Sequence, residues 1–381
     1  MKKVENVLLI LRHTKKQLKN DIKYNGIINA FKRKGYCVWT TYSDGSDIYI
    51  SDGEISEKIG VLNTKIQSIS RNTALYKAVY NYMKNTDKVF KYCYIRSMPA
   101  FLGYKKMLKK IGSKGTKIAV EIPTYPDTGE IESQTFINRI LLRLLKSWEK
   151  NAAKYIDVYL PMGEYAKEIN GRPAVNIENG VEADFLNKRE YKPVNPGEIH
   201  MLAVAKIARW HGYDRVIEGM KLYYEKNPEI KVYFHLVGPD GDGTLAEYKK
   251  KIEEYKLQEY VLLEGPKYGE EADSYFNMAD VGIASVNIQG MKTVYPLKIV
   301  EYLARGIPFI YAGLQANVNQ EWGFAMSVPI EDSPINIENI VEFSKRANSI
   351  SDVSDKMREI AYKDCSWDKQ LEKMFDYFEK R

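Results

Sequence analysis

The residues best suited to chemistry stand together in the run Tyr295-Pro296-Leu297-Lys298 and in Glu301, which follows it along the chain. A proline in the first turn of a helix fixes the backbone angle there and removes no hydrogen bond that the helix needs. The amides of Leu297 and Lys298 would then point out of the helix N-terminus, where an anion such as a diphosphate binds. Glu301 lies one turn further on the same face and could accept hydrogen bonds from two sugar hydroxyls. The alternative is an ordinary capped helix with Glu301 in solvent.

Two further cationic side chains, Lys206 and His211, lie between a predicted strand and the start of a predicted helix. Positive groups at such a strand end suit contacts to the same diphosphate. If His211 makes this contact, the anion should favour the imidazolium, and affinity for a nucleoside diphosphate should fall between about pH 6 and 8. Taken alone, however, a lysine and a histidine in such a loop are more often surface residues than ligands. Gly238 ends another strand, which is weak evidence because many such loops use glycine to turn.

In the amino-terminal half, three polar side chains lie at or just after the ends of predicted strands: His13, Arg96 and Glu121. Ligands bind beyond the carboxyl ends of the strands in open α/β sheets. Arg96 and Glu121 are therefore predicted to orient an acceptor, with Glu121 or a substrate phosphate oxygen taking its proton. His13 could reach the same place. The equally weighted alternative is a structural ion pair between Arg96 and Glu121.

The elements that must position these residues are short apolar runs rich in valine, isoleucine and tyrosine, which alternate with segments of helical length. This alternation predicts parallel sheets covered by helices. The predicted strands of the first half are 4–11, 36–41, 89–95, 117–122, 158–161 and 175–178. Those of the second half are 199–205, 231–237, 261–264, 281–284 and 308–311. Between residues 179 and 198 the pattern lapses into a polar stretch with glycine and proline, the composition of a linker.

These segments, in this order, resemble the donor domain of the retaining GT-B glycosyltransferases, the large family that includes bacterial phosphatidylinositol mannosyltransferases and sucrose synthases. In that family a strand ends in Gly-Arg-Leu and is followed by Lys-Gly. Here Ala205-Lys206-Ile207 and His211-Gly212 stand in those places. Of the family's paired glutamates, Glu301 matches the one that binds the donor ribose in relatives, and Thr293 stands at the other.

The resemblance covers residues 175–315 and includes Glu264-Gly265-Pro266-Lys267, which is similar to the turn that borders the nucleotide base. It implies an α/β protein of two tandem Rossmann-like domains that face each other across a cleft. Residues 1–185, completed by a C-terminal helix at 366–381, would bind the acceptor. Residues 196–365 would bind the nucleotide-sugar donor.

The implied function is transfer of a hexose, with retention, from a nucleoside diphosphate sugar to a hydroxyl of a glycan or lipid-linked sugar acceptor in cell-surface polysaccharide or glycoconjugate synthesis. No metal or cofactor is expected, because cations and a helix dipole already neutralise the departing diphosphate. Two alternatives stay open: a non-catalytic subunit of the same fold that stabilises a partner transferase, and a sugar-nucleotide epimerase. The implied donor-site residues are Lys206, His211, Gly238, Lys267, Thr293, Tyr295, Pro296, Leu297, Lys298 and Glu301.

The composition restricts the cellular compartment and the kinds of binding partner that the sequence predicts. The apolar runs are too short for a membrane span or a signal peptide, and three widely spaced cysteines fit reduced thiols, so a cytoplasmic location is expected. Residues 1–195 hold 34 Lys and Arg against 20 Asp and Glu, a net charge of +14, whereas the remaining residues hold 23 against 30, a net of −7. No nucleic-acid-binding signature accompanies the basic half. Its basic segments at 105–110 and 136–148 are predicted either to dock on an anionic membrane or to be ordinary solvated helix faces.

Overall fold

The structure is a computed structural model that describes residues 4–62, 69–126, 136–182, 186–191, 193–287, 297–313, 318–319 and 321–380. The chain divides into two compact units. The first comprises Met1–Gly180 and Trp367–Arg381, and the second comprises Val181–Ser366. Each unit is built around its own sheet with helices packed on it, so the predicted α/β class is confirmed.

The main sheet of the first unit has seven strands: β1 (Asn6–Ile10), β2 (Cys37–Asp44), β3 (Asp47–Ser51), β4 (Ser56–Val61), β5 (Phe90–Arg96), β6 (Lys117–Tyr125) and β7 (Val158–Gly163). Their order is β4-β3-β2-β1-β5-β6-β7. The five strands from β2 to β7 in this order are parallel, while β3 and β4 extend the sheet as an antiparallel edge. A separate two-stranded piece consists of β8 (Glu168–Ile169) and β9 (Arg172–Pro173).

Strand β1 shows why this sheet is covered on both faces. Leu8 and Ile10 belong to one apolar core and Val7 and Leu9 to another, and all four are fully buried. Successive side chains of a strand point to opposite faces. An uninterrupted apolar run therefore needs helices on both sides of the sheet.

Those helices are α1 (Lys15–Asn20), α2 (Ile22–Arg33), α3 (Ile69–Asn85), α4 (Tyr104–Gly112), α5 (Phe136–Ala152) and the C-terminal helix, α12 in chain order (Trp367–Glu379). Trp367 anchors α12 in the first unit and is fully buried. A Cβ atom at Gly26 would lie 2.3 Å from Cδ1 of Trp367, and one at Gly180 would lie 2.5 Å from its Cδ2. Only glycine at these two positions leaves room for the indole ring.

The second unit contains a fully parallel six-stranded sheet: β10 (Glu198–Val204), β11 (Lys231–Val237), β12 (Val261–Gly265), β13 (Val281–Ile283), β14 (Phe309–Ala312) and β15 (Ala325–Val328). The order is β12-β11-β10-β13-β14-β15. Because all strands run the same way, the loops that follow β10, β11 and β12 leave from one edge of the sheet. The helices of this unit are α6 (Tyr213–Tyr224), α7 (Thr244–Glu254), α8 (Glu270–Met278), α9 (Leu297–Arg305), α10 (Ile337–Asn348) and α11 (Val353–Asp364).

One prediction about the chain near residue 180 is wrong. Residues 175–178 form no strand, although the Val175 amide donates to the Tyr159 carbonyl at 2.8 Å, so the run follows β7 without building a ladder. The division between the two units falls at the start of the stretch predicted as a linker, and residues 187–191 of that stretch pack on the second unit. Arg189 is 4% exposed, and its guanidinium donates to the Ala279 carbonyl and to the Asn348 side chain at 2.6 and 2.7 Å. Arg189 is thus a buried hydrogen-bonding residue within a stretch whose other polar residues, such as Asn187, Lys188 and Glu190, are exposed.

Candidate functional site

Lys298 lies in the first turn of α9, beside aromatic rings from the segment that follows β10. Its Nζ donates to the Tyr213 hydroxyl at 2.9 Å and lies 5.5 Å from the centroid of the Trp210 ring. Burial holds the pKa of Lys298 well below its ordinary value, and Glu301 opposes this shift. No carboxylate in the described part of the chain pairs with Lys298. An anionic ligand would stabilise the charged form of such a partly buried lysine, which has no carboxylate partner among the described residues.

The residues before Lys298 are only partly described. Leu297 opens α9 and its side chain is exposed. Thr293, Tyr295 and Pro296 lie outside the described residues, so their predicted contacts to a donor stay predictions. The nine-residue helix α9 places the positive end of its dipole at Leu297, as the sequence predicts for an anion site.

His211 is 2% exposed and lies within a short 3₁₀ turn, Arg209–His211. Its ring stacks on Tyr213, with centroids 5.1 Å apart and an interplanar angle of 1°. The Nδ1 atom lies 3.1 Å from both the amide nitrogen and the carbonyl oxygen of Ala208. Burial, with a contribution from the Lys298 charge, lowers the pKa of His211 to about 3.

In the unliganded protein the ring of His211 is therefore neutral near pH 7. A buried ring next to a cation has lost the hydration that stabilises its protonated form. When Nδ1 accepts from the Ala208 amide, the proton sits on Nε2, and the neutral ring can still donate one hydrogen bond. His211 can contact a phosphate oxygen in this way without carrying charge. The predicted gain of a proton on binding a diphosphate, with its decline in affinity between pH 6 and 8, concerns the liganded site and stays a prediction.

The low pKa of His211 has a consequence for stability below neutral pH. The folded-state pKa is depressed, so the unfolded chain binds the proton more readily and stability falls as the pH drops below about 6.5. From pH 6.5 to 4.5 we expect His211 to lower the free energy of unfolding by about 2–3 kcal/mol, at roughly 1.4 kcal/mol per pH unit. Denaturant unfolding of the wild type and of His211→Phe at both pH values measures this loss. The variant keeps a ring on Tyr213 and shares all other titrating groups, so parallel declines in the two proteins would refute the assignment.

Lys206 and Gly238 lie at neighbouring strand ends. Lys206 follows β10, is exposed, and forms no ion pair with any described residue. Gly238 follows β11 with φ +137°, and its amide donates to the Gly265 carbonyl at 2.9 Å. A Cβ atom at Gly238 would lie 1.7 Å from the carbonyl oxygen of Ala205. Gly238 therefore lets the loop that carries Lys206 approach β11 closely, and its predicted contact to a donor stays a prediction.

Glu301 is partly buried on α9, one turn after Leu297. Burial raises its pKa, although Arg305 opposes the shift. One oxygen of Glu301 accepts from Nε of Arg305 at 3.2 Å, and Arg305 also pairs with Asp273 at 2.7 Å. The arginine thus holds the carboxylate by a single contact, and no described residue donates to the other oxygen of Glu301.

Lys267 does not join this group through any described contact. Its Nζ pairs with Glu271 four residues later, and this hydrogen bond raises the pKa of Lys267. The Tyr275 ring centroid lies 6.0 Å from the same atom. Among the predicted donor residues, the described contacts bring together Lys298 and His211, with Glu301 on the same helix as Lys298 and Lys206 on the preceding loop.

In the first unit, Glu121 is fully buried at 0% exposure on β6. Lys23 donates to its Oε1 at 2.7 Å, Tyr24 to the same oxygen at 3.1 Å, and Tyr94 to Oε2 at 2.6 Å. Burial and the nearby carboxylate raise the pKa of both tyrosines, so their hydroxyls stay protonated and donate. Three donors therefore occupy the Glu121 carboxylate, and the side chain has no surface exposed to solvent.

Neither interpretation of Arg96 predicted its actual partner. Nη1 of Arg96 donates to the Tyr24 hydroxyl at 2.9 Å, and that hydroxyl donates onward to Glu121. The ion pair of Glu121 is made by Lys23, not by Arg96. Arg96 and Glu121 are nevertheless direct neighbours in the register of β5 and β6. They belong to one polar cluster, linked through a tyrosine.

His13 adjoins this cluster. Its Nε2 atom lies 2.9 Å from Oδ2 of Asp21, and its ring packs edge-on against Tyr24 with centroids 5.2 Å apart. Burial pushes the pKa of Asp21 upward, but the hydrogen bonds from His13 and from the Tyr24 amide lower it by more. Asp21 also caps α2, which fixes its position. His13 is therefore held by a carboxylate, an arrangement that orients an imidazole.

Sequence reasoning missed Asp21, Lys23 and Tyr24, which all lie at the start of α2. Of these three, Asp21 could have been predicted, because it directly precedes a helix, as N-cap residues do. Nothing local to Lys23 or Tyr24 indicates a partner 98 or 97 residues away. Tyr213 and Trp210 were likewise missed as the aromatic surroundings of Lys298.

No helix in the described ranges is both long and apolar enough to cross a membrane. Within the same described ranges, no group of three or more His, Cys, Asp and Glu side chains is placed to hold a metal ion.

Residues 184–319 match the model of the family Glycosyl transferases group 1. This segment lies in the second unit and includes Lys206, His211, Gly238, Lys298 and Glu301. No curated protein matches the chain by sequence.

Solved structures similar to the whole chain are glycosyltransferases of the GT-B fold. Sucrose-phosphate synthase from Thermosynechococcus elongatus has a TM-score of 0.64 at 14% identity, over 99% of this chain and 98% of that one. The catalytic domain of starch synthase IV from Arabidopsis thaliana, bound to ADP and acarbose, has a TM-score of 0.65 at 10% identity, over 100% of both chains. Anabaena Alr3699/HepE in complex with UDP has a TM-score of 0.61 at 12% identity, over 99% of this chain and 100% of that one. These likenesses establish that the chain has the GT-B fold.

Proposed function

We propose that this chain, which carries a group 1 glycosyl transferase domain on a GT-B fold, transfers a hexosyl group from a nucleoside diphosphate sugar to a hydroxyl of a glycan or lipid-linked sugar, with retention of configuration. The observation that carries the proposal is Lys298: a partly buried lysine without a carboxylate partner among the described residues, at the positive end of a helix, inside the segment that matches the family. A diphosphate supplies the missing negative charge. Two of the similar solved structures hold the nucleoside diphosphates ADP and UDP.

The proposed roles follow from charge and placement. Lys298, the N-terminus of α9 and the exposed Lys206 stabilise the departing diphosphate, which gains negative charge as the glycosidic bond breaks. His211 donates from its neutral ring to a phosphate oxygen. These groups supply the positive charge from the protein itself, so we propose that transfer needs no divalent metal and no cofactor.

On the acceptor side, we propose that the first unit binds the acceptor and that a phosphate oxygen of the donor takes the proton of its hydroxyl. Glu121 is unsuited to that step because Lys23, Tyr24 and Tyr94 already donate to it. Arg96 and His13 then serve to orient the acceptor. The same-face transfer that retention requires is compatible with a base on the donor itself.

The site's carboxylate gives a direct test of donor binding. We expect Glu301→Ala to weaken binding of a nucleoside diphosphate by about 1.5–3 kcal/mol, the range for a lost hydrogen bond to a charged group. Titration calorimetry with UDP, ADP and GDP measures the change. Glu342→Ala on α10 removes an exposed carboxylate from the same unit and should leave affinity unchanged. Equal affinities of Glu301→Ala and the wild type would remove Glu301 from the site.

We further propose a cytoplasmic protein that contacts an anionic membrane peripherally through its basic first unit. Cys93 and Cys365 are buried and form no disulfide bond among the described residues, which fits a reducing compartment. Exposed lysines contribute to such contact through charge that salt screens over about 10 Å at 0.1 M ionic strength.

A further inference from the structure

A cavity of about 800 Å³ opens in the first unit between α3, α4 and α5. It is remote in sequence from the donor segment and includes none of the residues of the Glu121 cluster. A concave space of this size with a mostly apolar lining is typical of a site for one small or amphipathic molecule. The apolar side chains that line it are Tyr76, Tyr80, Phe101, Leu102, Tyr104 and Trp148.

Three lysine side chains lie at the border of this cavity. Lys77, Lys105 and Lys106 line it and are exposed, and none forms an ion pair with any described residue. On α4, Tyr104, Met107, Leu108 and Ile111 face the core, so the lysines of that helix are left on the solvent side. Three exposed ammonium groups at the mouth of an apolar cavity, none of them paired with a described carboxylate, suit a ligand with an apolar chain and an anionic head.

The surface beside the cavity is apolar as well. Leu144 and Trp148 lie four residues apart on α5 and are 55% and 46% exposed, and Leu102 at the cavity mouth is 70% exposed. Residues four apart lie on one side of a helix. Arg143 and Lys150 are exposed on the same helix. Apolar side chains flanked by cations are the pattern of a surface that lies at a membrane interface.

We propose that the cavity takes one acyl chain of an anionic phospholipid, whose phosphate pairs with Lys77, Lys105 and Lys106 while Leu102 and Trp148 enter the interfacial layer. Charge complementarity selects this occupant: a neutral glycan would use the aromatic rings but leave the three lysines without a counter-ion. The inference deepens the membrane contact of the proposed function by assigning its site. It does not depend on the chemistry of the donor.

The test is calorimetric titration of the full chain with monomeric lysophosphatidylglycerol below its micelle concentration. We expect binding of about one molecule per chain. Trp148→Glu and the pair Lys105→Gln/Lys106→Gln should each weaken it about tenfold or more, since lysines near an anionic lipid surface contribute strongly. Val89→Glu, at another exposed apolar position of the same unit, is the control for the first variant and should bind as the wild type does.

The pair Lys16→Gln/Lys19→Gln removes the same charge from α1 and controls for the overall charge of the unit. No binding of the monomeric lipid would overturn the proposal even if anionic vesicles sediment the protein, because that result indicates surface adsorption alone. Equal losses in the two lysine pairs, or Trp148-dependent binding of a neutral oligosaccharide instead of the lipid, would overturn it too. Nucleoside diphosphate affinity should be unchanged in Trp148→Glu, so loss of the lipid site and loss of the proposed glycosyl transfer are distinguishable.

Discussion

Replacing Glu121 by alanine is expected to lower the free energy of unfolding of the first unit by about 3–5 kcal/mol, the usual effect of breaking a buried ion pair from one side. The carboxylate is fully buried, and its loss leaves the ammonium of Lys23 and the hydroxyls of Tyr24 and Tyr94 without their acceptor. Chemical denaturation followed by tyrosine and tryptophan fluorescence measures the change.

The control for Glu121→Ala is a double variant that removes both partners of the ion pair. The double variant Lys23→Met/Glu121→Leu removes both charges of the ion pair, so a large part of the lost stability should return, although the tyrosine hydroxyls still lack an acceptor and Arg96 still loses the nearby carboxylate. A loss below about 1 kcal/mol in Glu121→Ala, the size of an ordinary surface change, would contradict the buried cluster.

Replacing Lys298 by methionine is expected to weaken nucleoside diphosphate binding by about 2–5 kcal/mol, the range for removing one partner of a desolvated charge pair. Each 1.4 kcal/mol is a factor of about ten in the dissociation constant. Methionine keeps the length and the apolar stem of the side chain, so the packing against Trp210 and Tyr213 is disturbed little. Calorimetry with UDP and ADP on the wild type and the variant measures the loss.

Lys221→Met, on α6 of the same unit, removes a half-exposed lysine that pairs with Glu225 and should leave nucleotide affinity unchanged. If Lys298→Met binds nucleotides as tightly as the wild type, Lys298 is not the phosphate ligand. The lack of a described carboxylate partner for Lys298 would then need another explanation.

The parallel strands were the most predictable part of the fold. Runs such as 231–237 and 117–122 are apolar on both faces, so the sequence pattern alone identifies them as buried strands. The antiparallel edge strands β3 and β4 were missed because half-buried strands such as Ser56–Val61 carry polar residues and show weak alternation. Residues 175–178 show the opposite error, since an apolar run can line an existing sheet without pairing in it.

The candidate site was predictable to the extent that it is local in sequence. The helix start at Leu297 and the glycine at 238 have local signatures, and both stand where the pattern indicates. The charge state of His211 depends on burial and on Lys298, which is 87 positions away, so no local pattern fixes it. The partners of Glu121 were not predicted for the same reason, because Lys23 reaches Glu121 only through the packing of α2 on the sheet.

The most direct test of the proposed function is to incubate the purified chain with UDP-, ADP- and GDP-linked hexoses, without and with sugar acceptors, and to follow the nucleotide and the sugar separately. We expect release of the nucleoside diphosphate with at least one donor, and faster release with a suitable acceptor. The product should keep the anomeric configuration of the donor. The same release should be lost in Lys298→Met. Tight nucleotide binding with no release from any donor would contradict the proposed function and would indicate a non-catalytic subunit. Conversion of the donor sugar to its epimer, with the nucleotide still attached, would also contradict it and would indicate an epimerase.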